Sequence, residues 1–132
     1  MAMAQDKKLE APVPGPDTKA FWDAAAKGKL LFKTCGDCGK SHYYPRANCP
    51  YCLSAKTEWV EAKGTGTVYT YSVMRRSPVP YAICYVRLDE GVTMMSNLVG
   101  MDLDKVTIGQ KVKVVFKPSD GGGPPVPCFA PA

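Results

Sequence analysis

The chain has 132 residues, 45% hydrophobic and 22% charged, with six cysteines and a net charge of +5. That length buries one modest core, and no apolar run approaches the roughly 20 residues a membrane helix requires. The positive charge is spread thinly: residues 1–34, 35–60 and 61–132 carry excesses of +2, +1 and +2, which is not the clustered patch of a phosphate-neutralising protein.

Residues 1–16 end in Pro12-Val-Pro14-Gly-Pro16 and predict an extended or mobile arm. The opening residues lack the apolar stretch of a signal peptide, and free or metal-bound thiols suit a reducing compartment, so the expected location is cytoplasmic. A short helix follows. Asp17 or Thr18 is placed to cap it, Phe21, Trp22 and Ala25 share a face, and Gly28 is placed to close it. Phe21 and Trp22 are a large apolar load for so short an element, with two uses open: covering the chain's own core, or anchoring a partner.

Leu30–Thr34 predicts a strand that delivers Cys35 to the main motif, Cys35-Gly-Asp-Cys38 and, ten residues on, Cys49-Pro-Tyr-Cys52. Two Cys-x-x-Cys pairs at this separation bring four thiolates to one point, the set a structural zinc ion prefers. Four protein ligands close the site, so the metal holds structure and does no chemistry. Spacing alone leaves an iron centre of the same S₄ geometry open, while a disulfide framework or a thioredoxin-type redox pair fits the pattern less well. His42, the sole histidine, is surplus to the ligand set and reads as a surface or hydrogen-bonded ring. Thr57–Glu61 alternates as the strand leaving the ribbon.

Beyond Gly64 the pattern becomes short strands split by turn residues: Thr67–Met74, Tyr81–Leu88, Val92–Val99 after the Asp89-Glu-Gly91 turn, and Lys111–Lys117. Asp102–Lys105 predicts a single helical turn, and Val126–Phe129 an edge strand weakened by its prolines. The expected fold is therefore mainly β: a short N-terminal helix and zinc ribbon (residues 17–60), then a five-stranded OB-fold barrel (61–132).

Catalytic candidates are poor. Cys84 sits in an apolar run where a buried inert thiol is the default, and Cys128, expected to be more exposed, has no nearby imidazole. No paired carboxylates or phosphate-cradling loop stand out. For ligand binding the best stretch is Met74–Tyr81, whose Arg75 and Arg76 suit anionic groups and whose Tyr81 suits an aromatic base, against the plainer reading of two solvated arginines on a hairpin. Tyr69 and Tyr71 share a predicted strand face, one expected to fill the barrel and the other to pack on the ribbon.

The Phe21-Trp22 helix, Leu30–Cys38, Tyr44-Pro-Arg46, Cys49-Pro-x-Cys52, Trp59, Gly66-Thr-Val68, Pro80-Tyr81 and Ile108-Gly109 occur together in this chain. In this it resembles, over residues 18–129, a family of small proteins that join a rubredoxin-like zinc ribbon to an OB fold and associate with acyl-CoA enzymes. One departure is the glycine- and proline-rich segment Gly121–Pro127. The resemblance implies a non-catalytic partner of a thiolase-like enzyme, which supplies the nucleophilic cysteine and histidine for thiolytic cleavage or Claisen condensation. It further implies Zn²⁺ on Cys35, Cys38, Cys49 and Cys52, a hetero-oligomer, and a coenzyme A or acyl-CoA ligand shared with the partner, for which Arg75, Arg76 and Tyr81 are the candidates. A nucleic-acid-binding ribbon and OB module is the alternative from another class, and the thin charge makes it the weaker one.

Overall fold

The computed structural model describes residues 9–132; the first half of the predicted arm, residues 1–8, lies outside them. A seven-residue helix, α1 (Lys19–Ala25), leads into a three-stranded antiparallel sheet of order β2-β1-β3, formed by β1 (Leu31–Cys35), β2 (Ser41–His42) and β3 (Thr57–Glu61). Five further strands form a closed barrel of order β4-β5-β6-β8-β7: β4 (Thr65–Met74), β5 (Tyr81–Leu88), β6 (Thr93–Leu98), β7 (Lys111–Lys117) and β8 (Val126–Pro131). The fold is the mainly β ribbon-plus-barrel arrangement that the strand pattern predicts, and closure leaves the barrel without a free edge.

Alternation explains the barrel wall. In β5, Ala82, Cys84, Val86 and Leu88 point inward and are at most 1% exposed, while Tyr85 and Arg87 face out. Gly66 of β4 lies against β5 so closely that a Cβ there would sit 2.4 Å from the Arg87 carbonyl oxygen, which no side chain tolerates. The ribbon does not end at its own surface. Phe21, Trp22, Ala25, Leu30 and Phe32 belong to one contiguous apolar cluster with Val68, Val86, Leu103, Val112 and Phe129 of the barrel region.

The structure corrects several expectations. Thr18 begins the helix without a side-chain cap; its Oγ1 instead accepts the Gly15 N–H at 3.0 Å. Of the two uses left open for Phe21 and Trp22, the structure takes the first: both serve the core, being 0% and 8% exposed. β8 is no weak edge strand: it pairs with β7 from Val126 to Pro131 and meets β6 at Phe129. Its prolines are harmless for a reason of register. The Phe129 and Pro127 carbonyls face β6, accepting from the Val99 N–H and the Ser96 hydroxyl at 2.8 Å each, so Pro127 and Pro131 lack an N–H only on that sparsely bonded side. The same pairing buries Cys128 to 1% exposure. Finally, a register shift between Val68 and Thr70 interrupts the alternation of β4: Tyr69 is the extra residue and stands 55% exposed, and Tyr71, opposite the inward Cys84, is 37% exposed, so neither ring is buried in the core.

Candidate metal centre and surrounding sites

Two chain reversals of the same design build the metal centre. In the first, the Cys35 N–H donates to the Lys40 carbonyl at 2.9 Å and the Gly39 N–H to the Cys35 carbonyl at 3.0 Å. In the second, the Cys49 N–H donates to Ser54 and the Leu53 N–H to Cys49, at 2.8 Å each. Each reversal needs one residue in the left-handed region. Gly39 supplies it at φ +75°, whereas the equivalent in the second is a leucine, Leu53, at φ +67°. The Asn48 side-chain amide donates to the Leu53 carbonyl at 3.1 Å and helps hold it there.

The four Sγ atoms of Cys35, Cys38, Cys49 and Cys52 lie within 4.8 Å of one another. A tetrahedron with Zn–S bonds of about 2.3 Å has edges of about 3.8 Å. Cys35 to Cys52 is 3.5 Å and Cys38 to Cys49 is 3.7 Å, so the set fits that geometry. The surroundings favour thiolate sulfur as well. Backbone N–H groups of Asp37 and Cys38 point at the Cys35 Sγ at 3.3 and 3.4 Å, and that of Tyr51 at the Cys49 Sγ at 3.4 Å. The Cys38 N–H above all holds the metal-free Cys35 thiol down to about 6. All four ligand positions are taken by protein, so a bound ion has structural work only.

His42 takes no part in this set. It is 3% exposed, and its Nε2 accepts the Arg46 N–H at 3.3 Å. Burial, then the nearby Lys33 charge, lowers its basicity, so the ring is held neutral. Cys84 and Cys128 are free thiols in the barrel. Burial pushes them up to about 12 and about 11, which leaves them without nucleophilic character near neutral pH.

Arg75 and Arg76 fall in the loop between β4 and β5, and Tyr81 opens β5 opposite Met74. The three predicted ligand residues thus share one end of a hairpin. Arg75 is already engaged, its guanidinium paired with the Asp104 carboxylate on a 3₁₀ turn (Leu103–Lys105) that Asp102 caps by accepting the Asp104 N–H at 3.0 Å. A separate open cleft of about 430 Å³ lies between ribbon and barrel, lined by Lys40, Ser41, Tyr51, Glu90, Gly91 and Val92, and includes none of the three. The sequence reading missed the exposed row Tyr85 and Met95 on the barrel's outer face. Its signal was present in the period-two alternation of β5, which assigns Ile83, Tyr85 and Arg87 to the side opposite the core residues.

Known proteins resemble the chain over both parts. Residues 22–58 match the model of the ChsH2 rubredoxin-like zinc ribbon domain and residues 59–117 that of the ChsH2 C-terminal OB-fold domain. The chain is 37% identical over 107 residues to a probable enoyl-CoA hydratase alpha subunit of Thermomonospora curvata, covering 76% of this chain but 34% of that one. The chain therefore spans about a third of the length of that relative. It is also 37% identical over 96 residues, 67% of each chain, to a DUF35 domain-containing scaffold protein of Methanocaldococcus jannaschii. Among solved structures, a chain of an Ltp2-ChsH2(DUF35) aldolase superposes with a TM-score of 0.80 at 34% identity, over 91% of this chain and 98% of that one.

Proposed function

The chain belongs to the DUF35 family of scaffold proteins, in which a ChsH2-type zinc ribbon precedes an OB fold, and from this premise we propose that it is the non-catalytic subunit of a thiolase-type acyl-CoA complex. In this role it bridges subunits and completes the site for the CoA moiety, while the partner chain carries the nucleophile and base for thiolytic cleavage or Claisen condensation. The observation that carries the reading is the near end-to-end likeness to a chain of the Ltp2-ChsH2(DUF35) aldolase. The chemistry of the chain supports it from the other side. Among the described residues, the one imidazole is buried and neutral and the two cysteines outside the metal set are inert, so no nucleophile–base pair is assembled.

Within this reading, Arg75, Arg76 and Tyr81 are the residues proposed to meet the CoA phosphates and adenine. The resident metal is Zn²⁺, held by Cys35, Cys38, Cys49 and Cys52.

The deciding experiment is a tagged capture from the source cells with bound proteins identified by mass. A thiolase-like protein retained in high salt is the expected outcome. Recovery of nucleic acid that washes off with salt, and of no such protein, overturns the reading. Arg75→Ala and Arg76→Ala are then expected to weaken CoA-ester binding by the reconstituted complex, and unchanged binding removes them from the site.

A further inference from the structure

Two segments that the sequence leaves without a role, the proline-rich arm and the glycine-rich loop between β7 and β8, meet in the structure. The Leu9 carbonyl accepts the Asp120 N–H at 2.9 Å. Two residues along the arm, the Ala11 methyl fills the space beside Gly123: a Cβ on Gly123 would stand 2.7 Å from it and 2.9 Å from the Ser119 hydroxyl. Gly123 has φ −66° and ψ 177°, angles that any residue adopts, so the approach of these neighbours, and not the backbone, is what excludes a side chain there. At its other end the arm is fastened to α1. The Gly15 carbonyl accepts the Thr18 and Lys19 N–H groups at 3.1 and 2.9 Å, and α1 carries Phe21 into the core. Between the two fastenings Pro12 and Pro14 keep the chain extended and stiff, so little entropy is lost in holding it down.

The loop gains from being held. Gly121 and Gly122 stand at φ +63° and +73°, and three glycines in succession make the segment costly to order. It feeds β8, the strand that closes the barrel, and β8 is thinly joined on one side. Six register pairs tie it to β7 from Val126 to Pro131, but one, Leu98 with Phe129, ties it to β6. We propose that residues 9–16 are a strap that latches this closing strand, and that lifting the strap loosens β8 from its Val126 end while the ribbon and the other strands stay folded. Cys128, the third residue of β8 and 1% exposed, is then a thiol that the strap keeps covered. The strap itself is open to attack: Glu10 faces solvent and Val13 is 92% exposed. The inference concerns the chain alone and does not rest on the accessory-subunit reading.

The test measures two rates on the full chain: cleavage after Glu10 by a glutamate-specific protease, and modification of Cys128 and Cys84 by a disulfide reagent, each thiol followed by peptide mass. Gly123→Ala sets a new methyl against Ala11 and is expected to raise the cleavage rate and the Cys128 rate about tenfold or more, with Cys84 unmoved. Adding Ala11→Gly removes the opposing methyl and is expected to bring both rates back to within about threefold of the parent. The Ser119 hydroxyl crowds the new Cβ with or without that methyl, so failure of the rescue assigns the effect to the loop alone and overturns the strap. Zinc content and thermal midpoint establish that each variant is folded. Parent chain cut after Glu10 supplies a second reading that needs no variant: its Cys128 is expected to react faster than in uncut chain, and an equal rate overturns the latch. An unchanged cleavage rate in Gly123→Ala overturns the docking of the arm. Faster cleavage with Cys128 unmoved, or equal acceleration of Cys84 and Cys128, overturns the hold on β8.

Discussion

Phe21 offers the sharpest measure of how far ribbon and barrel depend on each other. Its ring is 0% exposed and meets Trp22 edge-on at 4.8 Å between centroids, Tyr44 edge-on at 5.6 Å and Tyr43 tilted at 5.8 Å. It also belongs to the apolar cluster that continues into the barrel. Truncation to alanine removes the transfer free energy of a buried phenyl ring and leaves a cavity, about 3–5 kcal/mol for such a change. Three ring contacts, each adding about 0.5–1.5 kcal/mol beyond area, place the expected loss at the upper end, about 4–5 kcal/mol. Against a total stability of about 5–15 kcal/mol that is a large fraction, and for a chain of this size it corresponds to a thermal midpoint lower by about 10–20 °C. Denaturant titration of Phe21→Ala, followed by tryptophan fluorescence and by far-ultraviolet circular dichroism, measures both the loss and its extent. The two probes report the whole fold, and their transitions are expected to fall together. A loss below about 1 kcal/mol, or a barrel transition unmoved while the fluorescence transition collapses, would refute the shared core.

Four further outcomes follow from the geometry. Cys38→Ser leaves three thiolates and is expected to lower bound zinc well below one ion per chain, read by elemental analysis, and to reduce the thermal midpoint; full zinc occupancy in the variant would remove Cys38 from the site. Leu53→Gly places the residue that favours left-handed backbone at φ +67° and is expected to leave stability unchanged or raise it by up to about 1 kcal/mol, whereas Leu53→Val, β-branched at the same φ, should lower it in the same melt. With Cys84 and Cys128 raised to about 12 and about 11, only about one thiol in ten thousand and one in a thousand is ionised at about pH 8, so a disulfide reagent should leave both unmodified in the folded zinc-loaded chain and react with both in denaturant. His42 is neutral and depressed in the folded state, while the unfolded ring takes a proton near about pH 6.5; the unfolded chain binds the extra proton, so stability falls as pH drops through about 6.5 toward the folded value. Urea melts at about pH 7.5 and 5.5 should show a smaller difference for His42→Gln than for the parent, and an equal difference would remove His42 as the source.

Features set by spacing or by period were readable in the chain itself. Cys35, Cys38, Cys49 and Cys52 carry their meaning in their separations, and Tyr81–Leu88 carries its inner and outer faces in strict alternation. What escaped reading depends on neighbours distant in sequence. β2 is a two-residue strand that exists only because Lys33 and Thr34 of β1 lie beside it. The displacement of Tyr69 arises from a shifted register against β5, which single-strand alternation cannot reveal. The prolines of β8 argued for a weak edge, and only the direction in which Pro127 turns its carbonyl shows that they fall on the tolerant side. Leu53 gave no sign of its left-handed backbone, because bulky side chains seldom adopt it.

The placement of β8 between β6 and β7 bears on how the protein is made. Synthesis runs from the N-terminus, so β6 and β7 are both outside the ribosome before the strand that joins them exists as a free segment. For the time needed to add and release residues 126–131, two strand edges face water with their hydrogen-bonding groups unpaired. The ribbon, whose metal ligands span residues 35 to 52, can be complete well before that moment. The nascent chain therefore passes from a finished metal knuckle to an open, adhesive half-barrel, and residues 126–131 end that exposure. A bulky fusion placed directly after β8 would act on this step, lowering soluble yield while leaving the melting temperature of the molecules that do close unchanged.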